Sequence, residues 1–160
     1  MASTFKPQIQ GNLAGYPEVR NYRVTAAQTF GLNELVYVDV TTGKLLVCGA
    51  DPSLIAGVAL ASAAFGLGTQ WPGNIIDSDY IGVALLRSDT KVFMSSTTTP
   101  VVTNIGVAYG IAAVSGVWQV DTSDTSNTRV VVVDIFNTPQ QEGYLVQFLA
   151  ANLQFDAVAS

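Results

Sequence analysis

The chain has 160 residues, of which 49% are hydrophobic and only 12% charged, with no histidine, one cysteine and a net charge of −5. The missing histidine excludes the usual serine and cysteine triads, an imidazole metal site and a switch titrating near neutral pH, and the acidic balance argues against a nucleic-acid-binding domain. A chain of this length buries about two-thirds of its surface without disulfides, so Cys48 is expected as a small core hydrophobe, and the low charge points to a subunit partly covered by other chains.

In chain order, residues 1–33 form the first region. They carry Lys6, Arg20 and Arg23 against Glu18 alone, a net of +2, whereas the remaining four bases and eleven acids leave a net of −7. Pro7, Gly11, Gly15 and Pro17 interrupt the region, and it has no sustained apolar period. It reads as an extended N-terminal arm: either a lead-in lying across its own domain or a segment that orders on a partner through its aromatic and basic residues. The start, Met1 to Lys6, has no apolar run after a basic residue, so synthesis in a cytoplasm without a secretory signal is expected.

Residues 34–160 read as one β-rich body. Leu35–Val40 and Lys44–Cys48 are two strands joined by Thr41-Thr42-Gly43, a hairpin loop whose glycine suits a positive φ. Asp51-Pro52 ends that hairpin, and the front of Leu54–Leu60 is expected as strand. Tyr80–Leu86 and Lys91–Met94 flank Arg87–Thr90 as a second hairpin, and Gly106–Ile111 with Val117–Val120 form a third through Ser115-Gly116. Arg129–Phe136 is apolar on both faces and needs cover from two sides. Tyr144–Leu149 is a further strand and Leu153–Phe155 a short last one. About nine strands with turn chemistry between them indicate an all-β fold, a small antiparallel β-barrel or sandwich. The body shows no internal repeat and no linker. Its two charge-free stretches, Pro52–Ile76 and Val92–Val120, are interrupted by glycine, proline and polar residues, so neither reads as a span of a bilayer about 30 Å thick.

The chemical motifs are weak. Ser88-Asp-Thr-Lys91 matches S-x-x-K, but that chemistry needs the pair at a helix start; here the four residues close a hairpin, and Lys91 is expected to blunt a sheet edge. Asp77 and Asp79, and Asp121, Asp124 and Asn127, lack the alternate spacing of a calcium loop and read as turn caps. Gly66-Leu-Gly68 lacks the third glycine and the basic residue of a phosphate cradle. Twelve acids could place a carboxylate pair only through tertiary structure, so no catalytic residue, metal ligand or cofactor is assigned. Trp118 lies in a strand and is expected in the core, whereas Trp71 beside Pro72-Gly73 suits a surface contact.

The order Leu35-Val-Tyr-Val-Asp-Val-Thr-Thr-Gly-Lys-Leu-Leu-Val-Cys-Gly-Ala-Asp-Pro52, Ile55-Ala-Gly-Val-Ala59, Gly106-Val-Ala-Tyr-Gly-Ile111, Ser115-Gly-Val-Trp-Gln-Val-Asp121 and Asn127-Thr-Arg-Val-Val-Val132 resembles the head decoration, or capsid cement, proteins of tailed bacteriophages. In its first half it is similar to the phage lambda member, and the likeness covers most of residues 30–150 in pattern. The resemblance implies a compact, tulip-like β-fold and a homotrimer on the outer surface of the virion head. There it would bind the major capsid protein and stabilise the lattice, with no enzymatic activity, cofactor, nucleic acid or membrane involved. In that family the N-terminal arm orders on the shell, which here makes Phe5, Lys6, Tyr16, Pro17, Arg20, Tyr22 and Arg23 the expected capsid contacts, with Trp71 a further surface contact. A tail-tube or connector subunit and a carbohydrate-binding β-domain for host attachment are the alternatives.

Overall fold

A computed structural model describes residues 5–11, 15, 17–24, 28–63, 80–138 and 141–156. The fold is all-β. Its strands are β1 (Gln8–Gly11), β2 (Val19–Val24), β3 (Leu35–Val38), β4 (Lys44–Val47), β5 (Gly57–Ala59), β6 (Tyr80–Leu85), β7 (Lys91–Ser96), β8 (Ala108–Val114), β9 (Val117–Asp121), β10 (Val130–Asn137) and β11 (Glu142–Phe148). Among the described residues no helix is long and apolar enough to cross a membrane.

Strands β2-β4-β3-β5-β6 close into a barrel. The other sheet runs β1-β7-β11-β10-β8-β9, and β9 returns to β7, so five of its strands also form a ring. Two of the three expected hairpins are present. Gly43 takes φ 68° between β3 and β4, and Ser115 and Gly116 take φ 51° and 76° between β8 and β9, the positive pair that matches the twist of a two-residue hairpin.

The two rings repeat one plan, contrary to the expectation of no internal repeat. In each, the first strand pairs parallel with the third and antiparallel with the fifth, the second pairs with the third and fourth, and the fourth pairs with the fifth. The register agrees as well. Val36 opposes Gly57 and Tyr109 opposes Val130, a displacement of 73 residues on both strands (109 − 36 and 130 − 57). Connecting hydrogen bonds follow suit: Asn33 N–H donates to Ala59 O as Gly106 N–H does to Val132 O, and Leu86 N–H donates to Ala56 O as Leu149 N–H does to Arg129 O. Asn33 and Gly106 share the left-handed conformation, φ 64° and 85°. A ring of this kind needs only alternate inward apolar residues, so its recurrence leaves little trace in residue identity.

Two expectations change. Tyr80–Leu86 and Lys91–Met94 are not a hairpin: β6 belongs to the first ring and β7 to the second, and Arg87–Thr90 carries the chain between them. Lys91 therefore does not blunt an edge, because β7 lies between β1 and β11. Of the two readings of the first 33 residues, the described residues match a lead-in lying across its own domain. β1 extends the second sheet on β7, and β2 closes the first barrel between β4 and β6, so residue 33 marks no boundary of either sheet. The apolar stretch after Pro52 forms its strand at Gly57–Ala59, and Ile55 bridges Leu153 in parallel.

Val24, Val36, Val38, Leu45, Ile81, Val83 and Leu85 fill the first barrel with Phe30 and three alanines. The second ring holds larger side chains, including Trp118, Tyr109, Tyr144, Phe148 and Met94, and Leu35, Cys48, Ile55 and Leu86 reach this core from the first-ring side. The C-terminal segment ties the two rings together: Gln154 N–H donates to Ile55 O, and its side-chain amide both accepts from Val38 N–H and donates to Val38 O at 2.8 Å.

Candidate functional site

Most of the expected arm contacts are engaged within the chain. Lys6 Nζ pairs with Glu34 Oε1 at 2.9 Å, and Phe5 tilts against Phe136, which is also met edge-on by Phe93. Arg20 pairs with Glu18 at 2.7 Å and lies over Phe155, against which Tyr22 stacks. Arg23 lies over the Tyr80 ring and donates to its hydroxyl. Pro17 is half-buried beside the groove described next. Tyr16 and Trp71 lie outside the described residues, as do Asp77, Asp79 and Gly66–Gly68. The arm residues fit because an antiparallel pairing of β2 on β6 sets Arg23 opposite Tyr80 and Tyr22 opposite Ile81.

Two surface features stand out, and neither was singled out as a site in the sequence. The first is a groove of about 390 Å³ between β1 and the outer face of the first barrel. Val58, Leu60, Ala84 and Pro17 give it an apolar lining, and Gln8, Gln10 and Asn33 line it with amides. None of the described residues lining it is charged. Strand β1 hydrogen-bonds to β7 on one side and is the end of its sheet on the other, so it offers a free backbone edge here among the described residues. Val19 is exposed at the start of β2 and lies close to Leu60 across Gly82.

The second is the connection from β7 to β8. Val101, Val102 (65% exposed), Ile105 (44%) and Val107 present their aliphatic side chains to solvent around a single 3-10 turn at Val102–Asn104. The loop is held firmly. Asn104 Nδ2 donates to the Tyr144 hydroxyl at 2.7 Å, its Oδ1 accepts from the Tyr109 hydroxyl at 2.9 Å, and Val101 N–H donates to Tyr144 as well. Both tyrosines are buried in the second ring, so the barrel core itself braces the loop. The first ring offers a counterpart: Leu32 is 52% exposed just before Asn33, as Ile105 is before Gly106. The charge-free run Val92–Val120 was the available signal for this loop, but composition alone cannot tell a buried valine from a presented one.

The titratable groups serve structure. Asp124 is held below the usual carboxylate range by the backbone N–H groups of Asn127 and Ser126 and by the Asn127 amide, the turn-capping role read from the sequence. It meets Asp51 across Gly110, where an added Cβ would lie 2.7 Å from an oxygen of each carboxylate. Asp51 in turn accepts from Ile111 N–H at 2.7 Å. Among the described residues no group of three or more His, Cys, Asp or Glu could hold a metal ion. Burial pushes the Cys48 thiol up to about 12, which keeps it protonated and unreactive. Trp118 is in the core, and its Nε1–H donates to Gly49 O at 3.2 Å.

No protein-family model matches the chain, and no curated protein matches it.

Proposed function

We propose that the chain is a non-enzymatic structural subunit of a tailed-phage virion, a decoration protein that binds the outside of the major capsid protein lattice as a homotrimer and stabilises the head. The resemblance in residues 30–150 motivates this reading. The observation that carries it furthest is the braced aliphatic loop Val101–Val107, a preorganised apolar surface of the kind that docks onto another protein at small entropic cost. The mechanism is mass action: a ligand that binds only the assembled shell stabilises that shell, and three linked copies act at high effective concentration. Because Phe5, Lys6, Arg20, Tyr22 and Arg23 are engaged within the chain, this loop takes the gripping role in this reading.

The alternative of a tail-tube or connector subunit is favoured by the duplicated ring, since three chains would supply six similar barrels to one closed assembly. Sedimentation with empty, expanded heads tests the first reading: the wild type should pellet with heads, and Val102→Asp should not. Failure of the wild type to pellet, with stacked rings in negative-stain images, would replace it by the second.

A further inference from the structure

We infer that the Gly31–Glu34 turn is a second shell-binding site, so that each chain grips two neighbouring shell subunits, one through Leu32 and one through the loop that carries Ile105. This rests on the decoration reading and adds a contact to it.

The two turns are the same structure in the two rings. Glu34 N–H donates to Gly31 O at 3.3 Å and Val107 N–H donates to Asn104 O at 3.1 Å, again displaced by 73 residues (107 − 34 and 104 − 31). Asn33 and Gly106, with φ 64° and 85°, hold the third position of each turn, where a type II turn needs a positive φ. Leu32 and Ile105 therefore occupy the corner, 52% and 44% exposed. The flanking pairs differ, Gly31 from Asn104 and Glu34 from Val107, yet the corner carries a large aliphatic side chain in both. The fold does not call for one, since an exposed corner of this kind is ordinarily filled by proline or a polar residue. Each turn is also braced. Lys6 Nζ donates to Leu32 O at 3.3 Å and pairs with Glu34 Oε1, as the tyrosine hydroxyls hold Asn104. A side chain presented on a fixed turn loses little freedom on docking.

The spacing decides between one pocket and two. A Cβ on Gly116 would collide with the Glu34 carboxylate, so the first turn sits beside the Ser115-Gly116 end of β8. The second turn lies just before Ala108 at the other end, roughly 20 Å away along a seven-residue strand. Two like anchors that far apart fit a surface on which one apolar pocket recurs, and a lattice of identical subunits is such a surface. A chain joined to two subunits at once ties them together, and the second contact forms at the high effective concentration set by the first.

Full-length variants titrated against empty, expanded heads test this. By sedimentation, Leu32→Asp should bind about tenfold more weakly than wild type, Leu32→Ala, which adds no charge, should be weakened in the same direction, and Leu32→Ile should match wild type. Melting temperatures equal to that of wild type would show that each variant folds. At equal occupancy of the heads, Leu32→Asp should protect them less against heat than wild type does, because one anchor holds a chain on the shell but cannot tie two subunits. Wild-type binding by both Leu32→Asp and Leu32→Ala would overturn the inference and leave the decoration reading standing, as would full heat protection by saturating Leu32→Asp. A wild type that does not sediment with heads would overturn the decoration reading and this contact with it.

Discussion

The two rings share a strand plan and differ in how they fill it. The first closes around small residues, with Ala56, Ala59 and Ala63 in its core and a glycine at position 57. The second closes around Trp118, Tyr109, Tyr144 and Phe148, and at the position matching Gly57 it holds Val130. Each ring is sealed by a short parallel seam of two residue pairs, β2 with β4 and β7 with β9. The same topology thus tolerates a tight ring and a wide-bodied one, provided that volume changes together at facing positions.

The largest expected effect comes from Trp118, which fills the second ring and bonds to Gly49 near the end of β4 in the first. Trp118→Ala should cost about 3–5 kcal/mol. If the rings are one cooperative unit, chemical denaturation followed by near- and far-ultraviolet circular dichroism will still give a single transition; two separated transitions would make them independent. The next test exchanges the character of matched positions. A Cβ on Gly57 would collide with the Ala84 carbonyl, so Gly57→Val should cost about 3 kcal/mol, whereas Val130→Ala should cost about 2 kcal/mol through lost burial. Equal tolerance of valine at both positions would show that the first ring is no tighter than the second. Gln154→Ala removes two 2.8 Å bonds to the Val38 backbone and should cost about 1–2 kcal/mol in a urea titration.

The smallest effects are those of pH. Glu18 is held below its ordinary value by Arg20 and then Arg87, Asp124 by the Asn127 and Ser126 amides, and Asp39 by Thr41 N–H and the Thr42 hydroxyl. Lowered folded values mean that this stability is present above the unfolded values, about 4, and is lost as pH falls through the folded ones. Melting temperature should therefore be flat from pH 6 to 8 and decline below pH 4. Cys48 acts in the opposite sense: with its thiol raised from 9.0 to about 12, its contribution is present below pH 9 and disappears as pH rises towards 12. A thiol reagent at pH 8 should label it only as fast as the protein opens.

The hairpins were legible because Gly43 and Ser115-Gly116 announce their turns within a few residues. The pairing of β6 and β7 was misread because Arg87–Thr90 does form a turn, with Thr90 N–H donating to Arg87 O, while the choice of strand partner is made elsewhere in the fold. The repeat stayed hidden because matched positions share inward direction rather than chemistry, Val36 answering to Tyr109 and Gly57 to Val130. Phe5, Lys6, Arg20, Tyr22 and Arg23 were recognised as contact-forming, but sequence could not say that their partners are Phe136, Glu34, Glu18, Phe155 and Tyr80 of the same chain. Asn104 gave no local signal at all, since the tyrosine hydroxyls that grip it come from two strands of the second ring.

The interlacing of the termini sets the order of events on the ribosome. β1 must wait for β7, and the first ring, whose strands are all synthesised by Leu85, lacks its Gln154 clasp until that residue has followed β11 out. Translation therefore passes through an unfinished molecule in which β1 has no strand to pair with until β7 is made, and such a nascent chain is vulnerable to clumping with its neighbours on a crowded polysome.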